Sequence, residues 1–170
     1  MDLIQALSDA EIPVVAHLGL TPQSVLRMGG YRVQARSAEA AAQLKTDAHA
    51  IAEAGAGLLV LEGVPREVAA EITAELPIPT IGIGAGPDCD GQILVFHDLL
   101  NLTFAPPAKF VRRYGDAAAL IRSSVEQYRE DVERRTFPSD AESYHLPEAA
   151  RRAMAAPSAQ QPKVARLRKV

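Results

Sequence analysis

Tryptophan is absent from this chain of 170 residues, cysteine occurs once, and aromatic residues make up only 5%. Each shortage excludes something. Cys89 has no partner for an internal disulfide, which excludes a disulfide-stapled secreted scaffold and fits a reducing cytosol. One cysteine also excludes a thiolate metal cluster, and no HxxxH-type histidine spacing replaces it. Charge of one sign is missing too: a net charge of −3 gives no electrostatic footprint for nucleic acid. No run approaches the roughly 18 consecutive apolar residues of a membrane span. Met1-Asp2-Leu3-Ile4-Gln5 has neither the basic stretch nor the apolar core of a signal peptide. A soluble, cytoplasmic globular protein is expected, with no nucleic-acid or membrane partner.

What is present is alternation. With 48% hydrophobic and 23% charged residues, the chain can bury a core. Short, uniformly apolar runs occur at Val14-Val15-Ala16, Leu58-Leu59-Val60-Leu61, Thr80-Ile81-Gly82-Ile83 and Ile93-Leu94-Val95-Phe96. Such runs suit strands covered on both faces in a parallel sheet. Helical spacing fills the gaps. Leu44, Ala48 and Ile51 share a face, with Ser37 as N-cap and Gly55 as terminator. Val68, Ile72 and Leu76 share another, in a helix opened by Pro65. A longer helix from about Asp116 to Arg135 is expected to bury Ala117, Ile121, Val125, Tyr128 and Val132, and the first dozen residues read as an orphan helix.

This order predicts a parallel α/β fold. A closed (β/α)₈ barrel takes eight strands and about 250 residues, so four strands amount to half of one. An open doubly wound sheet satisfies the same pattern. Two parts are expected: residues 1–145 as the α/β body, and residues 146–170 as a basic, disordered tail. The tail carries Arg151, Arg152, Lys163, Arg166, Arg168 and Lys169 among prolines and glutamines.

Reacting groups of parallel α/β folds sit where strands run into the following loops. Those positions hold His17, Glu62, the segment Gly82-Ile83-Gly84-Ala85-Gly86, and His97-Asp98. Glu62 ends four apolar residues, where desolvation would raise its pKa towards that of a general base. Equally, it could serve the N-terminus of the helix that Pro65 begins. His17 reads either as a hydrogen-bonding structural residue or as a site residue. For His97-Asp98 the structural reading is preferred, with Asp98 as a turn or cap residue. The glycines are spaced G-x-G-x-G, and Pro87-Asp88 stand where a helix should start, so the dinucleotide-binding geometry is missing. No metal site can be assembled from these residues.

Taken together, His17-Leu-Gly-Leu-Thr-Pro-Gln-Ser24, Gly29-Gly-Tyr-Arg-Val-Gln34, Leu59-Val-Leu-Glu62 with Val64-Pro65, Ile81-Gly-Ile-Gly-Ala-Gly86, and Asp90-Gly-Gln-Ile-Leu-Val95 with His97-Asp98 resemble the ketopantoate hydroxymethyltransferase family. The resemblance runs from residue 1 to about residue 145. It implies the C-terminal half of a (β/α)₈ barrel of the phosphoenolpyruvate/pyruvate type, assembled into a homo-oligomer. It also implies transfer of a one-carbon unit from 5,10-methylenetetrahydrofolate to 3-methyl-2-oxobutanoate, with Mg²⁺ as cofactor. Glu62 matches the family's catalytic base, and His17 matches a histidine in the substrate pocket. The family's metal-binding carboxylates and a substrate-binding lysine belong to the other half of the barrel, for which this chain has no equivalents. Three readings follow: an enzyme completed by an N-terminal half, an inactive half-barrel serving as remnant or scaffold, and another enzyme of the same superfamily.

Overall fold

The computed structural model describes residues 1–24, 26 and 29–155. These fall into two compact units, Met1–Ala119 and the chain from Leu120 onward.

The first unit is a four-stranded parallel sheet with helices between the strands. Its elements are α1 (Asp2–Asp9), β1 (Val15–Gly19), α2 (Ala38–Glu53), β2 (Leu58–Glu62), α3 (Arg66–Glu75), β3 (Thr80–Ile83), β4 (Gly91–Gln92) and α4 (Phe96–Leu99). Strand order in space is that in sequence, β1-β2-β3-β4. The Ser37 hydroxyl caps α2 by accepting the Ala40 N–H at 3.2 Å. Gly55 follows the helix at φ +96°, a left-handed conformation that costs glycine little.

Register decides which face each side chain takes, because strand side chains alternate. Ala16 pairs with Leu59 and Leu59 with Thr80, while Leu18 pairs with Leu61. Leu59, Leu61 and Thr80 are fully buried, in a core shared with Leu44, Ala48 and Ile51 of α2 and Ala69 and Ile72 of α3. Burying each leucine contributes roughly 1.5–3 kcal/mol. Among the described residues Thr80 is the one buried polar residue. Its hydroxyl lies 2.8 Å from that of Thr73 and donates to Asp90 Oδ2 at 3.1 Å, while its N–H donates to the same oxygen at 2.8 Å. Asp90 thereby ties the loop before β4 to the amino end of β3.

Two expectations fail here. The apolar run Ile93–Phe96 is not a strand: β4 stops at Gln92, Ile93 N–H adds one bond to Gly82 O, and α4 begins at Phe96. A four-residue apolar run fits a strand or a helix start equally well. His97 and Asp98 therefore lie in α4 rather than at a strand end. Asp98 does act as a turn residue, accepting the Thr103 hydroxyl at 2.6 Å.

The second unit contains most of α5 (Ala117–Glu133) and α6 (Glu148–Ala155). The α5 helix matches its expected span, but the face expected to be buried is open. Ile121, Val125, Tyr128 and Val132 are 44–60% exposed. Periodicity marks the face that seeks cover; it does not supply the cover. Within this unit the rings of Tyr128 and Phe137 meet edge-on at 5.5 Å. Part of the segment read as a disordered tail, Glu148–Ala155, is an exposed helix, and residues 156–170 lie outside the described residues. Among the described residues no helix is long and apolar enough to cross a membrane.

Candidate active site

The face of the sheet opposite the helices carries the polar chemistry. His17 pairs with Val60, and Gly19 with Glu62, so His17 and Glu62 project to one side, diagonal to each other across β1 and β2. His17 Nε2 lies 3.1 Å from Glu62 Oε2. The carboxylate is the more sheltered partner, its side chain 14% exposed against 32% for the histidine. The approach is off the axis of a hydrogen bond, leaving the buried Nε2 without a directed partner. Such a nitrogen is costly to leave idle, and it is free to serve an incoming acceptor.

Backbone geometry holds the pair in place. Gly19 sits at φ +91°, and a Cβ there would collide with the Glu62 carbonyl oxygen and stand 2.8 Å from Val64 Cγ1. Only glycine lets β1 leave the sheet this close to β2. The next residue uses that proximity, with Leu20 N–H donating to Glu62 O at 2.8 Å. Beyond Glu62, Gly63 N–H donates to Ile83 O at 2.9 Å and Gly63 O accepts from Gln34 N–H at 2.8 Å. The loop carrying Gly29-Gly-Tyr-Arg-Val-Gln34 is thus fastened next to the Glu62 strand end. No side-chain hydrogen bond caps α3, whose N-cap is Pro65.

Sequence reading singled out Glu62 and His17 separately, and the structure brings them together. The missing signal was register: once β1 and β2 are aligned, both residues fall on one face, two positions apart along the strands. Sequence reading also passed over Lys109-Phe-Val-Arg-Arg-Tyr114, which runs beside the ends of β3 and β4.

A magnesium site requires several convergent oxygen donors. Among the described residues no three His, Cys, Asp or Glu side chains gather to hold a metal. Glu62 and His17 make only a pair, and the described residues do not by themselves fit the cation.

Fold and site together define a parallel α/β protein with a carboxylate–imidazole pair at its strand ends. The family model for ketopantoate hydroxymethyltransferase matches residues 1–140, and the chain belongs to that family. It is 67% identical over 148 residues to the 3-methyl-2-oxobutanoate hydroxymethyltransferase of Koribacter versatilis, covering 87% of this chain and 50% of that protein. The enzyme of the same description from Geobacter metallireducens is 56% identical over 143 residues, covering 84% and 54%. A third, 3-methyl-2-oxobutanoate hydroxymethyltransferase 2 of Bradyrhizobium diazoefficiens, is 50% identical over 155 residues, covering 91% and 53%. The chain spans about half the length of these relatives.

Proposed function

We propose that this chain forms the base-bearing half of a (β/α)₈ barrel of the phosphoenolpyruvate/pyruvate type. The completed barrel transfers a one-carbon unit from 5,10-methylenetetrahydrofolate to 3-methyl-2-oxobutanoate. The observation that carries this reading is the Glu62–His17 pair at the strand ends, in a chain so similar to the relatives named above.

In this reading Glu62 Oε takes the proton from C3 of the 2-oxo acid, leaving the bond's electrons as an enolate. C3 then bonds to the one-carbon unit, which leaves the folate nitrogens, and one water supplies the hydroxyl oxygen of the product. The His17 imidazole, 3.1 Å from Glu62 Oε2, leaves the other carboxylate oxygen to face the substrate. His17 Nε2, with no directed partner, donates to a substrate oxygen. The carboxylates that would hold a magnesium ion belong to the complementary half of the barrel, and no step is assigned to the metal on this chain.

The test is complementation. The chain is purified alone and together with the complementary segment of the Koribacter versatilis relative, and ketopantoate formation is assayed. Turnover is expected only in the mixture. Robust turnover by the chain alone would contradict the half-barrel assignment. An inactive mixture of folded partners would contradict the transferase reading and favour the scaffold.

A further inference from the structure

A general base works only if its carboxylate meets the substrate proton from one direction, and a glutamate on a loose strand end would lose that aim. The peptide that carries Glu62 is not loose. Glu62 O accepts from Leu20 N–H at 2.8 Å, and Gly63 N–H donates to Ile83 O at 2.9 Å. The ladders to β1 and β3 therefore both continue to the very end of β2. A further bond comes from outside the sheet. Gln34 N–H donates to Gly63 O at 2.8 Å and engages the carbonyl one residue beyond the base.

The segment that makes this bond is held in a conformation suited to it. Gln34 Nε2 turns back and donates to Arg32 O at 2.7 Å, which ties the side chain into its own loop. Ala35 follows at φ +52°, in the left-handed region that residues with a Cβ rarely adopt. Ala35 also packs, partly buried, against the core that contains Leu59 and Leu61. Gly63, the acceptor, is itself left-handed at φ +57°. Two left-handed residues thus meet at one hydrogen bond. An unfavourable conformation at a residue such as Ala35 persists only where its surroundings over-determine it, and such residues gather at functional sites. The contact is also complete within this chain, because Gly63 follows β2, an inner strand flanked by β1 and β3.

We propose that Gln34 is a positioning residue for the base. Acting through the Gly63 carbonyl, it fixes the backbone from which the Glu62 side chain departs and keeps the carboxylate at its 3.1 Å from His17 Nε2. The side-chain bond to Arg32 O keeps the Gln34 N–H aimed at that carbonyl. The proposal rests on the transferase reading, in which Glu62 is the base, and deepens it. Gln34 acts on the orientation of the carboxylate and on no reacting atom.

The test compares Gln34→Ala and Gln34→Met, which both lose the donor to Arg32 O, with Ser37→Ala, which loses the cap of α2 just beyond. In the completed barrel, kcat and KM are measured for exchange of the C3 proton of 3-methyl-2-oxobutanoate in deuterated water. Both Gln34 variants should lose kcat on the order of tenfold to a hundredfold at nearly constant KM, the scale of a small misplacement of a reacting group. Ser37→Ala should lower the melting temperature and keep kcat, because it weakens the helix without touching the strand end. NMR of the Glu62 carboxyl carbon and the His17 ring in the full chain gives a second readout that needs no turnover. Those signals should move in both Gln34 variants and stay in place in Ser37→Ala. Parent-like kcat in either Gln34 variant, an equal loss in Ser37→Ala, or unmoved Glu62 and His17 signals would each overturn the proposal. Failure of the transferase reading looks different: the parent barrel exchanges no proton, while the two signals still move with Gln34.

Discussion

The two faces of the sheet differ as sharply as two proteins. Towards α2 and α3 the side chains are Leu59, Leu61 and Thr80, all fully buried. On the other face Val15 is 63% exposed and Val60 half-buried, only Ile83 beside Glu62 is buried among the strand residues described, and the polar pair His17–Glu62 stands at the strand ends. One face is finished by residues of this chain; the other holds the groups with chemical potential. Stability is therefore concentrated on one side of β2 and the proposed reactive pair on the other, with side chains only one residue apart in sequence.

Substitution at neighbouring positions of β2 sharpens that contrast. Leu61→Ala removes a fully buried side chain and should destabilise by roughly 2–5 kcal/mol. Thermal unfolding would register this as a drop on the order of 5–15 °C in a chain of this size. Val60→Ala, one residue away on the open face, should cost about 1 kcal/mol or less, since much of its surface is not removed from water. Equal losses at the two positions would erase the distinction between the faces.

The smallest expected effect lies on the outer surface of the helix layer. Lys45 Nζ sits 2.7 Å from Glu75 Oε1 and 3.0 Å from Glu71 Oε2, and His49 Nε2 lies 3.1 Å from Glu75 Oε2. Hydrogen bonding from Lys45, then His49, holds the Glu75 carboxyl below 4.5. Glu75 first, then Glu71, holds the Lys45 ammonium above 10.5. A depressed carboxyl stabilises above its unfolded pKa and loses that contribution as pH falls through the lower folded value. A raised lysine stabilises below its unfolded pKa and loses it as pH rises through the higher folded value. The contribution should hold across neutral pH and fade below 4.5 and above 10.5. Glu75→Gln should lower the melting temperature slightly at pH 7 and converge with the wild type in acid. Salt should shrink the difference, as for any exposed pair. A difference unchanged by pH would show that the cluster acts through packing.

How much of this was legible in the sequence depends on whether the cause was local. Ser37 and Gly55 bracket α2 because capping is decided within a few residues of the chain. Glu62 was visible because it interrupts an apolar run at a strand end. The Ile93–Phe96 run misled, since four apolar residues carry no period and the turn into α4 is set by pairing with β3. The face of α5 was identified correctly, but its exposure depends on what else is present to cover it. His17 meeting Glu62, and Gln34 meeting Gly63, are contacts between distant segments that register and folding alone determine.

The central claim is that Glu62 is the base on the open face, and proton exchange at C3 of 3-methyl-2-oxobutanoate tests it most directly. The completed barrel is incubated with the 2-oxo acid in deuterated water without folate, and loss of the C3 proton signal is followed by NMR. Glu62→Gln should retain the thermal melt of the parent and lose exchange by on the order of 10²–10⁴-fold, the range for removal of a general base. Exchange at near the parent rate in a folded Glu62→Gln barrel would contradict the account and place the base elsewhere.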